Sequence, residues 1–95
     1  MIKVNFAGYT CIVRKREYGN GRIALCLEDA YNGQPVATAT INLPNEALQE
    51  GETIIKDYSE NAGILDCLIE AGIVKPTGDY ASSAWIDAAI VKVLI

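Results

Sequence analysis

The chain contains no histidine. A catalytic serine or cysteine needs a base within hydrogen-bond reach, most often an imidazole, so nucleophile–histidine arrangements are excluded at the outset. Cysteine is scarce too. Cys11, Cys26 and Cys67 are odd in number and form no Cys-x-x-Cys pair, so neither a disulfide framework nor a zinc knuckle is expected. A tetrahedral zinc site without imidazole would need all three thiols plus a carboxylate or water, and no ligand spacing supports one. The cysteines are read instead as small buried apolar residues. No apolar run approaches the ~18 residues that span a bilayer. The opening residues, Met1-Ile2-Lys3-Val4-Asn5, alternate and lack the charged-then-apolar layout of a signal peptide. Internal repeats and low-complexity segments are missing as well. The expectation is a cytoplasmic protein with no metal, no cofactor and no membrane partner.

What is present is a foldable composition with a lopsided charge. Ninety-five residues suit one domain. An apolar share of 51% with 21% charged residues argues against disorder. Up to Arg22 the basic residues Lys3, Arg14, Lys15, Arg16 and Arg22 face only Glu17, giving +4; the remainder carries −8, for a net −4. Asymmetry of this kind points to a surface that meets a partner.

The first half reads as strands joined by tight turns. Ile2, Val4 and Phe6 alternate with Lys3 and Asn5, and Ala7-Gly8 offers a turn. Tyr9 to Tyr18 continues as a strand, with Cys11 and Val13 on one face and Ile12, Arg14 and Arg16 on the other. Gly19-Asn20-Gly21 suits a hairpin connection, since both residue types tolerate positive φ. Ile23, Leu25 and Leu27 then oppose Arg22, Ala24, Cys26 and Glu28. After Tyr31-Asn32-Gly33-Gln34, Val36 to Leu43 forms another strand, with Ala37, Ala39, Ile41 and Leu43 inward and Thr38, Thr40 and Asn42 outward. Regular turns flanked by period-two alternation predict an antiparallel meander.

Beyond Pro44 to Glu52, a polar connection, Thr53 to Lys56 suits a short strand. Then the period changes. Ile64, Leu65, Leu68 and Ile69 recur at helical spacing, with Gly72 placed as a C-terminal cap. The helix is expected over about Glu60 to Ala71, started by Asp57 with Glu60 as a capping box or by Ser59 alone. Pro76-Thr77-Gly78-Asp79 is read as a loop and Trp85 to Ile95 as a last strand. That strand is apolar on both faces, so it needs cover on both. A central position, with the helix on one side and loops on the other, is favoured; a homodimer burying Trp85 and the apolar end is the alternative. The expected fold is α+β: a largely antiparallel sheet of about five strands with one helix packed on one face.

Chemistry is hard to assemble from these residues. Ser59, Ser82, Ser83 and the cysteines default to structural roles without a base. Gly19-Asn20-Gly21-Arg22 precedes a strand, not a helix, and so is not a phosphate loop. Arg14, Lys15 and Arg16, with Arg22 placed across the hairpin and Tyr9 and Tyr18 nearby, outline a nucleic-acid-binding patch. The acidic balance makes nucleic acid the less favoured partner, and Arg14 and Arg16 have Glu28 or Glu17 to pair with. The acids are the stronger hint. Glu46, Glu50, Glu52, Asp57, Glu60, Asp66 and Glu70 are opposed only by Lys56. Asp66 and Glu70, four apart on a helix, repel by about 0.2–0.5 kcal/mol. An uncorrected cost of that kind suggests an acidic face meeting a basic protein partner; solubility is the plain alternative.

Several segments carry a resemblance: Asn42-Leu43-Pro44-Asn45-Glu46, Ile55 to Asn61, Leu68 to Val74, Pro76-Thr77-Gly78 and, upstream, Gly21-Arg22-Ile23-Ala24. Together they resemble a family of small uncharacterised proteins found in bacteria and in phages, plasmids and conjugative elements, most clearly between Gly19 and Gly78. The resemblance implies no catalytic residue, cofactor or substrate. It implies a context in which small acidic proteins inhibit host defence, as anti-CRISPR proteins do. Within these segments Tyr58 is either a hydrophobic lead-in to the helix or an exposed interface anchor.

Overall fold

Alternation in the first 38 residues builds a meander, as the sequence predicts. A computed structural model describes residues 2–82 and 87–95. Strands β1 (Lys3–Phe6), β2 (Tyr9–Glu17), β3 (Ile23–Asp29) and β4 (Pro35–Thr38) form an antiparallel sheet in the order β1-β2-β3-β4. The register sets Val4 against Cys11 and Val13 against Leu27, so one apolar face forms across three strands. A second sheet has the order β5-β7-β6, from β5 (Glu52–Ile54), β6 (Val74–Ser82) and β7 (Asp87–Val93). The fold class is α+β, with seven strands in two sheets among the described residues instead of about five in one.

The two sheets meet where β4 ends. The amide of Ala39 still donates to Leu25 (2.8 Å), but the Ala39 carbonyl accepts from Lys56 and the Ile41 amide donates to Ile54. Thr40 bridges Ile55 at the same point. The expected strand Val36 to Leu43 is thus cut at Thr38, because the chain leaves β3 to bond β5. Thr40, expected outward, is buried. The Thr53 hydroxyl fastens the junction further by donating to the Ile23 carbonyl (2.7 Å).

The helix is shorter than the expected span of Glu60 to Ala71. Residues Ser59–Asn61 form a 3-10 turn, and α1 spans Ile64–Glu70. Gly63 breaks the two apart at φ 94°, a conformation that L side chains rarely adopt. The capping box is replaced by a longer reach: Asp57 Oδ1 accepts from the amides of Gly63 (2.9 Å) and Leu65 (3.1 Å), while Glu60 turns to Lys56. At the other end Gly72 caps as expected. Its amide donates to Ile69 and that of Ile73 to Leu68, the two bonds of a Schellman motif. Leu68 and Ile73 are both fully buried beside those bonds.

Helix α1 packs on β1 and on β6, the outer strands of the two sheets, and so spans the opening between them. The main core fills the enclosed space with Leu25, Leu27, Ile55, Ile64, Leu68 and Val91. Burial of each such side chain stabilises by about 1.5–3 kcal/mol. Pro76 to Asp79, expected as a loop, lies within β6, where the ladder with β7 breaks register between Pro76 and Tyr80. The proline and the extra residues are tolerated because this strand pairs on one side only.

Strand β7 is central in its sheet and apolar on both faces, and each face has its own cover. Ala89, Val91 and Val93 join the main core; Ala88 and Ile90 join a second cluster with Ile54 and Ala81. Ile41, Leu43 and Leu48, from the connection between the sheets, pack over that cluster. The chain therefore supplies both covers by itself, which removes the bare strand as a reason for a homodimer. Trp85 and Ser83 lie outside the described residues. Among the described residues no helix is long and apolar enough to cross a membrane.

Candidate functional site

The four basic residues named for a nucleic-acid patch separate. Arg14 and Arg16 share one face of β2 and both close on Glu28, at 3.1 Å to Oε1 and 3.0 Å to Oε2. Hydrogen bonds from Arg14 and then Arg16 hold the Glu28 carboxyl below its ordinary range. Lys15 points the other way and donates to the Ile95 carbonyl oxygen (2.7 Å). Arg22, expected beside the others, instead reaches into the connection between the sheets. Its guanidinium donates to the carbonyl oxygens of Leu43 (2.7 Å) and Glu46. The register explains the separation, since Glu17 pairs with Ile23 and Arg22 falls opposite Tyr18, past the end of the paired strands.

The seven acids also divide. Asp57 caps the start of α1, and Glu60 pairs with Lys56. That ammonium, with backbone and Ser59 hydrogen bonds, draws the Glu60 carboxyl down to about 2 and is itself raised in turn. Glu52 Oε1 accepts from the Gln49 amide (2.8 Å) and so closes the turn before β5. Glu46 offers its carbonyl to Arg22. Glu50, Asp66 and Glu70 are exposed and form no ion pair among the described residues. Glu50 lies with Lys15 and Arg16 along one hollow. Asp66 and Glu70 line a groove of about 450 Å³ between α1 and β1, together with Lys3, Asn5 and Cys67.

Nucleophilic chemistry finds no support in Cys11 or Cys67. Burial raises Cys11, with Asp29 and Cys67 adding to the effect, and burial and then Glu70 raise Cys67. A raised thiol pKa makes the reactive thiolate scarce. Cys67 spends its hydrogen on the Asn5 carbonyl (3.3 Å). Among the described residues no three cysteine, aspartate or glutamate side chains converge as a metal site would require.

A second groove, of about 510 Å³, opens at the junction of the two sheets and was not foreseen in the sequence. Tyr18 lines it, with its hydroxyl 2.8 Å from the Thr40 hydroxyl. Tyr58 lines it too, with the Lys56 ammonium 5.6 Å from its ring centre. Asn61, only 2% exposed, fixes the floor by donating to the Thr38 carbonyl (2.7 Å). The Tyr18–Thr40 and Asn61–Thr38 contacts join residues more than twenty positions apart, so no local spacing announces them. The sequence singled out Tyr18 only beside the basic patch and Tyr58 only as a lead-in to the helix or an interface anchor, and nothing in it joined the two.

Compared with family models, with curated proteins and with solved structures, the chain matches none.

Proposed function

We propose that the chain is a non-enzymatic cytoplasmic protein of a phage or other mobile element that acts by binding a basic surface of a host protein. The origin rests on the family resemblance. The binding mode rests on one observation: internal pairing engages Arg14, Arg16, Arg22, Lys15 and Lys56, while Asp66 and Glu70 on α1 are exposed and, among the described residues, without an ion pair, although Lys3 lines the same groove. Glu70 also ends a helix, where a carboxylate is disfavoured. An inhibitor of a defence nuclease needs charge complementarity and a rigid shape, and both features suit the nucleic-acid groove of such an enzyme. Glu50 lies in a separate hollow beside Lys15 and Arg16, and Glu46, Glu52, Asp57 and Glu60 are occupied first by the fold.

The test is a tagged pull-down from host lysate with and without nuclease, run beside a variant carrying Asp66→Lys and Glu70→Lys. A stoichiometric protein that survives nuclease and is lost with the variant is the expected result. A partner retained by the variant, or one lost on nuclease treatment alone, would overturn the reading, the latter in favour of nucleic acid.

A further inference from the structure

The groove at the sheet junction has no part in the acidic reading, and its chemistry is different. Its two tyrosines are held before any ligand arrives. Tyr18 is tethered through its hydroxyl to Thr40, whose oxygen also receives the Leu25 amide (3.3 Å) and is therefore fixed by the sheet. Tyr58 is braced by Lys56 over its ring and by the residue that follows it. Ser59 sits at φ 57°, a left-handed conformation that a non-glycine residue holds only when the surroundings impose it. Preorganised aromatic walls lower the entropic cost of binding.

The polar groups between those walls are uncharged in sum. Lys56 and Glu60 pair with each other and cancel. Asn42 accepts from Asn20 at Oδ1 (3.1 Å), which leaves its amide nitrogen to donate elsewhere. The hydroxyls of Thr38 and Tyr58 make no hydrogen bond among the described residues, and both can donate and accept. A volume of about 510 Å³ falls within the range of small-molecule sites, about 300–1,000 Å³. The groove is open to solvent.

We propose that this groove binds a neutral saccharide, with a pyranose lying against a tyrosine ring and its hydroxyls exchanging hydrogen bonds with Thr38, Asn42 and Tyr58. A sugar offers an apolar face to an aromatic ring and, around its rim, hydroxyls that both donate and accept. The cancelled charge gives no advantage to an anionic ligand.

Saturation-transfer NMR with maltotriose, cellotriose and N,N′-diacetylchitobiose, with thymidine as a stacking control, tests it. Transfer to at least one saccharide is expected, weakened about tenfold or more by Tyr58→Ala, as loss of an aromatic anchor does. Thr38→Val lies at an exposed position and serves as the fold-preserving variant; it should also weaken binding, whereas Tyr31→Ala, at a side chain 87% exposed and outside the groove, should not. No transfer to any of the three saccharides, transfer indifferent to both groove variants, or transfer to thymidine alone would overturn the proposal.

Discussion

Removing the Arg22 side chain asks whether one guanidinium holds the cover of the second core. In Arg22→Ala the carbonyls of Leu43 and Glu46 lose their donor. Hydrogen bonds to charged groups contribute about 1.5–3 kcal/mol where water is excluded. Arg22 is half-buried and water can reach the freed carbonyls, so about 1 kcal/mol each is the fitting figure. If the connection then lifts, Leu43 and Leu48 lose part of their contact with Ile54 and Ile90. Partial exposure of each adds about 1 kcal/mol. The total loss is roughly 2–4 kcal/mol, read as a lower midpoint in urea denaturation. Hydrogen exchange gives the sharper reading. The amides of Ile41, Glu46 and Glu52, bonded to Ile54, Leu43 and Gln49, should lose protection beyond the global change. Arg22→Lys, with one point donor in place of a fork, should fall between. A loss below about 0.5 kcal/mol with unchanged exchange would return Arg22 to the status of an ordinary surface residue and refute the clamp.

Other consequences are simpler to state. Leu68→Ala empties a fully buried position between α1 and the sheets, and should cost about 2–5 kcal/mol in chemical denaturation. Gly72→Ala forces a side chain onto φ 72° at the Schellman turn, for a cost of about 1–2 kcal/mol and a fall in melting temperature of roughly 4–8 °C per kcal/mol. Glu60 titrates at about 2 in the fold against an ordinary 4.5. Its contribution is therefore fully present above pH 4.5 and is lost as pH falls towards 2. Lys56→Met should flatten that part of the stability–pH profile; an unchanged slope would show that the pair contributes nothing.

The meander was legible because period-two alternation and glycine-rich turns are local, and β1 to β4 follow them with Val4, Cys11, Val13, Leu25 and Leu27 inside. The two-faced last strand was legible for the same reason: a strand apolar on both sides has few places to go but the middle of a sheet. The helix was recognised but not its start, because the expected caps at Asp57 and Ser59 lie before Gly63, which divides a 3-10 turn from α1. Strand β6 was hidden by Pro76 and Gly78, residues that usually end strands but here occupy an irregular one-sided edge. The pairing of Arg14 and Arg16 with Glu28 was among the partners considered, since cross-strand neighbours can be counted from a hairpin. The destination of Arg22 was not, because it depends on a loop more than twenty residues away.

That difference bears on how charge should be read in a small domain. By count, seven acids between positions 46 and 70 look like a single feature. By position, Asp57, Glu60 and Glu52 have local duties that any fold with this turn, this 3-10 segment and this helix start would impose. Reversing one of them would disturb the fold and binding together and would discriminate nothing. Glu70 carries the opposite signature: its repulsion from Asp66 and its position at the end of α1 make it slightly costly, so Glu70→Lys should leave the fold as stable or more so, whereas Asp66 stands in the first turn, where a carboxylate is favoured. A charge that the fold would be better without is the kind whose removal separates function from stability, and Glu70, at the end of α1, is such a charge.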